Sequence, residues 1–327
     1  MFTRKYNKQN KFKRFLLKLL KVYAYEKETL NVVNPNYKNQ MGNFVNFNDK
    51  SFNFNQGYLN LTRKIKKLDI FFRYAPNVAL WNSSKSWKRI IQGINKEDLI
   101  SISLLSLKKS ILYFLKKNDL EITVHLISDN SNTVFDNHLL KLIENDNIKV
   151  ILHKSKIPGN RGSYLECCDN AEYAEDLIFF IEDDYLFEEK CIEETLITYS
   201  RVSTLLKKEI IICPSDYSFY YDSLYKTSLL IGKDYRWRIV GETLLTFMLS
   251  KKTFNQYKKS IRMVGEKENN PFEKPLHEIY QNVTCIAPVN SLSYHISRSV
   301  PSVTENWKKT WDDIYINYIN LKSINLR

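Results

Sequence analysis

The sequence predicts an α/β fold in which a mostly parallel central sheet is flanked by helices. Three observations predict it. Short apolar, β-branched runs recur through residues 65–187, and helix-period segments separate them, the order that crossover helices between parallel strands require. With 43% apolar and 13% aromatic residues among 327, the chain can bury a full core. No run approaches the roughly 18 apolar residues of a membrane span, and eight Gly with eight Pro do not make a fibrous or low-complexity chain.

Taken in order, residues 1–64 read as a basic N-terminal extension and linker. The formal charge is +13, but residues 1–68 carry 15 Lys+Arg against 3 Asp+Glu, which leaves 34 against 33 in the rest. The body is neutral and the leader basic. Lys11, Arg14, Lys18 and Lys21 recur along one helical face, and Phe12, Leu16, Leu19 and Tyr23 along another. Two readings stand side by side: residues 11–23 lie on an anionic membrane surface, or their apolar stripe packs on the body. No nucleic acid is expected as partner, because the phosphate contribution needs a continuous basic track that the body lacks. Residues 31–60 are Asn-rich and aperiodic, as a linker or irregular wrap would be.

The body is expected over residues 65–327. Leu68 to Tyr74 forms a first strand ending at Ala75-Pro76-Asn77, followed by helical spacing through Trp87, Ile90 and Ile91 and then Leu104 to Leu115. Glu121 to Ser128 is a second strand closing at Asp129-Asn130-Ser131, with a helix over Val134 to Ile143. Asn147 to His153 is a third strand. Gly159-Asn160-Arg161-Gly162-Ser163 reads as a loop permissive for close backbone approach, before a helix from Tyr164 to Ala174. Leu177 to Ile181 and Glu209 to Cys213 are further strands, and the second introduces an aromatic, basic hairpin through Tyr235, Arg236, Trp237 and Arg238. Sheets of this kind bind ligands at the carboxyl ends of their strands.

The five cysteines contain no C-x-x-C pair, and Cys167 and Cys168 are adjacent, so reduced thiols are expected rather than a zinc site or a disulfide framework. The sequons at Asn60, Asn82 and Asn282 are read as chance in an Asn-rich chain without a signal-peptide pattern. The expected setting is cytoplasmic, peripheral on the cytoplasmic membrane face where the leader binds it.

The chemistry is concentrated where Leu177–Ile181 runs into Glu182-Asp183-Asp184. Three carboxylates at the tip of a buried strand repel one another unless something positive sits among them. Oxygen donors of this kind suit Mn²⁺ or Mg²⁺, with positions left for substrate phosphates. The alternative is a solvated strand-to-helix junction in which Glu188 and Glu189 cap the next helix.

From the first strand through Phe179-Phe180-Ile181-Glu182-Asp183-Asp184-Tyr185, the chain resembles the nucleotide-sugar-binding half of family-two-like glycosyltransferases of GT-A fold, with Glu182 to Asp184 standing as an acidic variant of their Asp-x-Asp motif. The resemblance spans about Leu68 to Trp307. It implies a nucleotide-sugar-binding half over 65–187, an acceptor-binding half with a smaller hairpin and helical part over 188–310, and a C-terminal tail over 311–327. It implies a nucleotide-sugar donor, UDP-linked in the first instance, and a glycan or lipid-linked saccharide acceptor. Carried over by position, Asp184 and the downstream His295 hold the metal, Asp183 assists or orients, and Glu182 reaches the ribose or, through water, the metal. Arg73, Asp129, Asn160, Arg161, Gly162, Ser163 and Arg298 line the donor site, and Asp216, Tyr217, Trp237 and Arg238 the acceptor site. Displacement at the anomeric carbon needs a carboxylate base, for which Glu273, Glu278 and Glu242 are the candidates. Two rivals remain. A sugar nucleotidyltransferase would want a Gly-rich triphosphate loop that Arg73 to Asn77 does not supply. A non-enzymatic membrane- or nucleic-acid-binding protein would work through the basic arm alone.

Overall fold

A computed structural model describes residues 30–32, 51–54, 57–78, 91, 93–221, 227–297, 303–304 and 306–324. The residue 11–23 helix, Trp87, Ile90 and Arg298 lie outside them. Strands β1 (Leu30–Val32), β2 (Ser51–Phe54) and β3 (Gly57–Asn60) precede the body. There follow β4 (Lys67–Tyr74), α1 (Lys96–Leu115), β5 (Glu121–Ser128), α2 (Thr133–Ile143), β6 (Lys149–Lys154), α3 (Asn160–Ala171) and β7 (Leu177–Glu182). The second half contains β8 (Tyr185–Phe187), α4 (Cys191–Leu206), β9 (Ile211–Ile212), β10 (Thr227–Ile231), β11 (Arg236–Val240) and β12 (Phe247–Ser250). It closes with α5 (Lys251–Glu266), α6 (Lys274–Tyr280), β13 (Cys285–Pro288), β14 (Ser293–His295) and α7 (Trp307–Ile324).

The main sheet runs β1-β10-β11-β13-β9-β12-β7-β4-β5-β6. Its β6-β5-β4-β7 block is wholly parallel, and in β4 and β7 the apolar runs are continuous because both faces are covered: Leu177 through Ile181 are all buried. Beyond β7 the sheet is mixed, since the β10–β11 hairpin and β12 enter antiparallel. Short turns reverse the chain, and parallel pairing needs a crossover.

Local signals start the helices. Asn95 accepts the Asp98 amide at 2.7 Å to cap α1, Asn132 accepts that of Phe135 at 2.8 Å to cap α2, and Ser250 accepts that of Thr253 at 3.1 Å to cap α5. Two expectations need correction. The helix read as Tyr164–Ala174 begins at Asn160, and only Gly159, with φ of 95°, belongs to the turn before it. Gly162 lies inside that helix, where a Cβ would come within 1.9 Å of the Ile157 carbonyl oxygen, so its smallness serves packing. Glu188 and Glu189 do not cap α4, which follows Lys190 and carries Glu193 and Glu194 in its first turn.

One large core spans both halves of the body, from Phe71 and Phe180 to Trp237 and Ile286. A second unites Leu99 and Ile102 of α1, Leu186 of β8, Tyr294 of β14, and Trp311, Ile314 and Tyr318 of α7. The segment expected as a C-terminal tail is thus a docked helix. All five cysteines are free and buried. Among the described residues, no helix is long and apolar enough to cross a membrane.

Candidate active site

The carboxyl ends of β4 and β7 lie side by side, with Arg73 in register with Glu182. Around this edge the fold brings the first residues of α1, α3 and α6 and the last of β14. Each carboxylate of the triplet meets its own positive or ionisable partner. Glu182 accepts Arg73 Nη2 at 2.5 Å, and Arg73 is aimed by the Asn160 carbonyl at 3.2 Å and by the Asn160 side-chain oxygen. Asp183 accepts Lys96 Nζ at 2.6 Å and the Ala75 amide at 2.8 Å, so both its oxygens are engaged. Asp184 Oδ2 stands 3.2 Å from His295 Nε2, and the His295 ring stacks on Tyr185 at 5.1 Å between centroids. Thr246 Oγ1 accepts the Glu182 amide at 3.2 Å and steadies the strand end.

The repulsion read from the sequence is therefore relieved by the protein itself. Burial pushes the Glu182 and Asp183 carboxyls above their usual range, against the pull of Arg73 and Lys96 respectively, and the nearby Asp184 charge adds to the rise. Asp184 goes the other way: burial would raise it, but the charge and hydrogen bond of His295, aided by Lys96 and Arg73, hold it well below that range. Glu273, which precedes α6, is pushed up to about 7, first by burial and then by the charge of Glu182. It also feels Arg73 and His295, so of the three base candidates Glu273 is the one drawn into this cluster. Glu278 lies on the exposed side of α6. Glu242 sits between β11 and β12, its carbonyl accepting Tyr220 Oη at 2.9 Å.

Asp184 and His295 bring a carboxylate oxygen and an imidazole nitrogen together at this edge. Their 3.2 Å separation suits adjacent ligands of one ion, whereas Asp183 is fully engaged and Glu182 is tied to Arg73. No cluster of three or more His, Cys, Asp or Glu that could hold a metal occurs among the described residues. A divalent ion here would thus have two protein ligands and complete its shell with substrate phosphate and water, as Mg²⁺ characteristically does.

Several expected donor-site residues point elsewhere. Arg161 turns to the carboxyl end of α5, donating to the carbonyls of Gly265 at 2.8 Å and Glu266 at 2.5 Å, where orphan carbonyls and the helix dipole favour a cation. Ser163 bonds back to the Gly159 and Asn160 carbonyls of its own first turn. Asp129 accepts the Gly159 amide at 2.9 and 3.0 Å and pins the turn before α3 to the end of β5. On the acceptor side Trp237 is fully buried and donates its indole N–H to Glu194 at 3.1 Å, so it has no face for a sugar. Tyr217 is also buried, its hydroxyl 2.7 Å from that of Tyr185, which places it behind the His295 stack. Asp216 and Arg238 form an ion pair, with Arg238 lying 4.4 Å from the Tyr221 ring centroid. Tyr221 itself is 52% exposed.

Lys96 was missed from the sequence, where nothing distinguishes it from any other lysine in a first helical turn.

No protein-family model and no curated protein matches this sequence. Solved structures similar to it include TarS 1-349 of S. aureus, at 11% identity and a TM-score of 0.41, covering 70% of this chain and 60% of that one. Glycosyltransferase GlyE of Streptococcus pneumoniae TIGR4 follows at 9% and 0.37, covering 68% and 45%. The galactosyltransferase LgtC with donor and acceptor sugar analogues follows at 12% and 0.35, covering 66% and 70%. The chain spans about half the length of the first two. Likenesses this distant leave function to be argued from the site itself.

Proposed function

We propose that the chain is a glycosyltransferase that moves a sugar from a nucleotide-sugar donor, UDP-sugars first, to a hydroxyl of a glycan or lipid-linked acceptor. The observation that carries this reading is the Asp184–His295 pair at the carboxyl ends of parallel strands, together with Glu273, a carboxyl that burial and the charge of Glu182 push up to about 7. A cation-binding pair beside a base poised near working pH is what displacement at an anomeric carbon needs.

Mn²⁺ or Mg²⁺ held by Asp184 and His295 would neutralise the charge that develops on the departing diphosphate. The chain's own residues do the rest. Ionised Glu273 accepts the proton of the acceptor hydroxyl as that oxygen bonds to the anomeric carbon and the bond from this carbon to the diphosphate breaks. A single displacement of this kind inverts the anomeric centre. Glu182, aimed by Arg73, is the residue proposed to meet the ribose, while Asp183 holds Ala75 and Lys96 in place. Asp216, Arg238 and the exposed face of Tyr221 are the proposed acceptor contacts. Residues 11–23 are proposed to hold the enzyme on an anionic membrane surface, which salt-sensitive co-sedimentation with anionic vesicles would test.

The experiment that tests the central reading is thermal stabilisation by a panel of nucleotide sugars with Mn²⁺, with Mg²⁺ and with chelator, followed by transfer assays using any donor that binds. Ligands that bind only the folded state raise the melting temperature. A cation-dependent shift confined to one nucleotide class is expected. Folded protein that responds to no donor under any of these conditions refutes the proposal.

A further inference from the structure

Asp184 and His295, proposed above to hold the cation, belong to one small unit. Asp184 immediately precedes β8 and His295 closes β14, and these strands form their own two-stranded ribbon with Tyr185 opposite His295 and Leu186 opposite Tyr294. Side chains alternate across it. Tyr185 and His295 stack on the site face, whereas Leu186, Tyr294 and the following Ile296 enter the core under α7. The Ile296 amide also donates to the Asp184 carbonyl at 2.7 Å. The separation of the two donor atoms therefore depends on how the ribbon is held.

Glu188 holds it. Its amide donates to the Leu292 carbonyl at 2.9 Å, just before β14. Its Oε1 accepts both Tyr294 Oη at 2.9 Å and Thr310 Oγ1 at 2.6 Å. One carboxylate oxygen thus ties the exit of β8, the middle of β14 and the first turn of α7 together. Its side chain does not cap α4, although its carbonyl accepts the amide of Cys191, the first residue of that helix, at 3.0 Å.

We infer that Glu188 is a positioning residue for the cation site, acting through Tyr294 to fix the ribbon on which Asp184 and His295 face each other. The inference rests on the reading of Asp184 and His295 as the cation's protein ligands. Outer-shell partners of metal ligands are worth about 10- to 100-fold in affinity. Glu188 acts one residue further out than a direct partner of His295, so its effect belongs at the low end, about tenfold.

The test is titration calorimetry of Mn²⁺ into the full chain, with thermal melting in parallel. Glu188→Ala should weaken Mn²⁺ binding about tenfold, while Glu188→Gln, which keeps an acceptor oxygen for both hydroxyls, stays within about threefold of wild type. Tyr294→Phe, which removes one hydroxyl, should fall between them. A Glu188→Ala protein that melts earlier but binds Mn²⁺ as wild type does overturns the inference, as does a Gln variant as weak as the Ala variant. If Glu188→Ala does not fold, Tyr294→Phe decides, and unchanged affinity overturns the proposal. Wild-type protein that binds no Mn²⁺ removes the ligand reading before any variant is compared, and the inference with it.

Discussion

Replacing Glu273 by Gln tests whether a carboxyl near the acidic cluster is held close to neutrality. Its ordinary value of 4.5 is raised to about 7 in the fold. A rise of this size is worth about 3 kcal/mol between the two protonation states. The sign follows from linkage: the folded state binds the proton more tightly than the unfolded chain, so the stabilisation is fully present below pH 4.5 and is lost as pH rises through about 7. Gln keeps the shape and does not titrate. Relative to Glu273→Gln, wild type should therefore lose about 2.5 kcal/mol between pH 5 and pH 8, the remainder falling below that range. Paired urea denaturation curves in chelator measure this, since titrating groups distant from Glu273 cancel between the two proteins. The same variant should have little transferase activity at any pH, because an amide cannot accept the acceptor's proton. A stability difference that stays flat across pH 5–8 refutes the raised Glu273 carboxyl, and a Gln variant with full turnover refutes its role as base.

Asp184→Asn should bind Mn²⁺ at least tenfold more weakly, as expected when one of two protein ligands becomes a neutral amide oxygen; calorimetry checks it, and unchanged affinity would place the ion elsewhere. Arg161→Ala should leave the donor KM within about twofold and cost about 1 kcal/mol of stability through the lost α5 carbonyl bonds; a large rise in KM would restore Arg161 to the donor site. Gly232→Ala should destabilise by more than about 2 kcal/mol, because a Cβ there would come within 2.3 Å of Glu194 Oε1 and 2.4 Å of Trp237 Nε1; chemical denaturation reads this directly.

The inner strands of the parallel block were legible because they are covered on both faces, and continuous apolar runs such as Leu177 to Ile181 have few other uses. The position of the acidic strand end was legible for the same reason, since the buried run to Ile181 fixes where the carboxylates that follow it emerge. Partners distant in sequence were not legible. Lys96 and Asp183 are 87 positions apart, and Trp237 and Glu194 are 43 apart. An alternating aromatic strand reads alike whether its rings face a sugar or a buried carboxylate. Arg161 and Ser163 meet backbone carbonyls that the sequence did not reveal, for a local reason: polar residues at a helix start are as apt to satisfy such carbonyls as to bind a ligand.

The electrostatic argument for a cation changes its footing accordingly. Three clustered carboxylates seemed to demand an ion, yet Arg73, Lys96 and His295 answer them one for one. The three pairs also differ in chemistry. Arg73 and Lys96 can only donate hydrogen bonds, whereas a neutral imidazole nitrogen can serve as a ligand. On the proposed reading, substitutions at Asp184 and His295 should therefore separate cation binding from folding more cleanly than substitutions at Arg73 or Lys96.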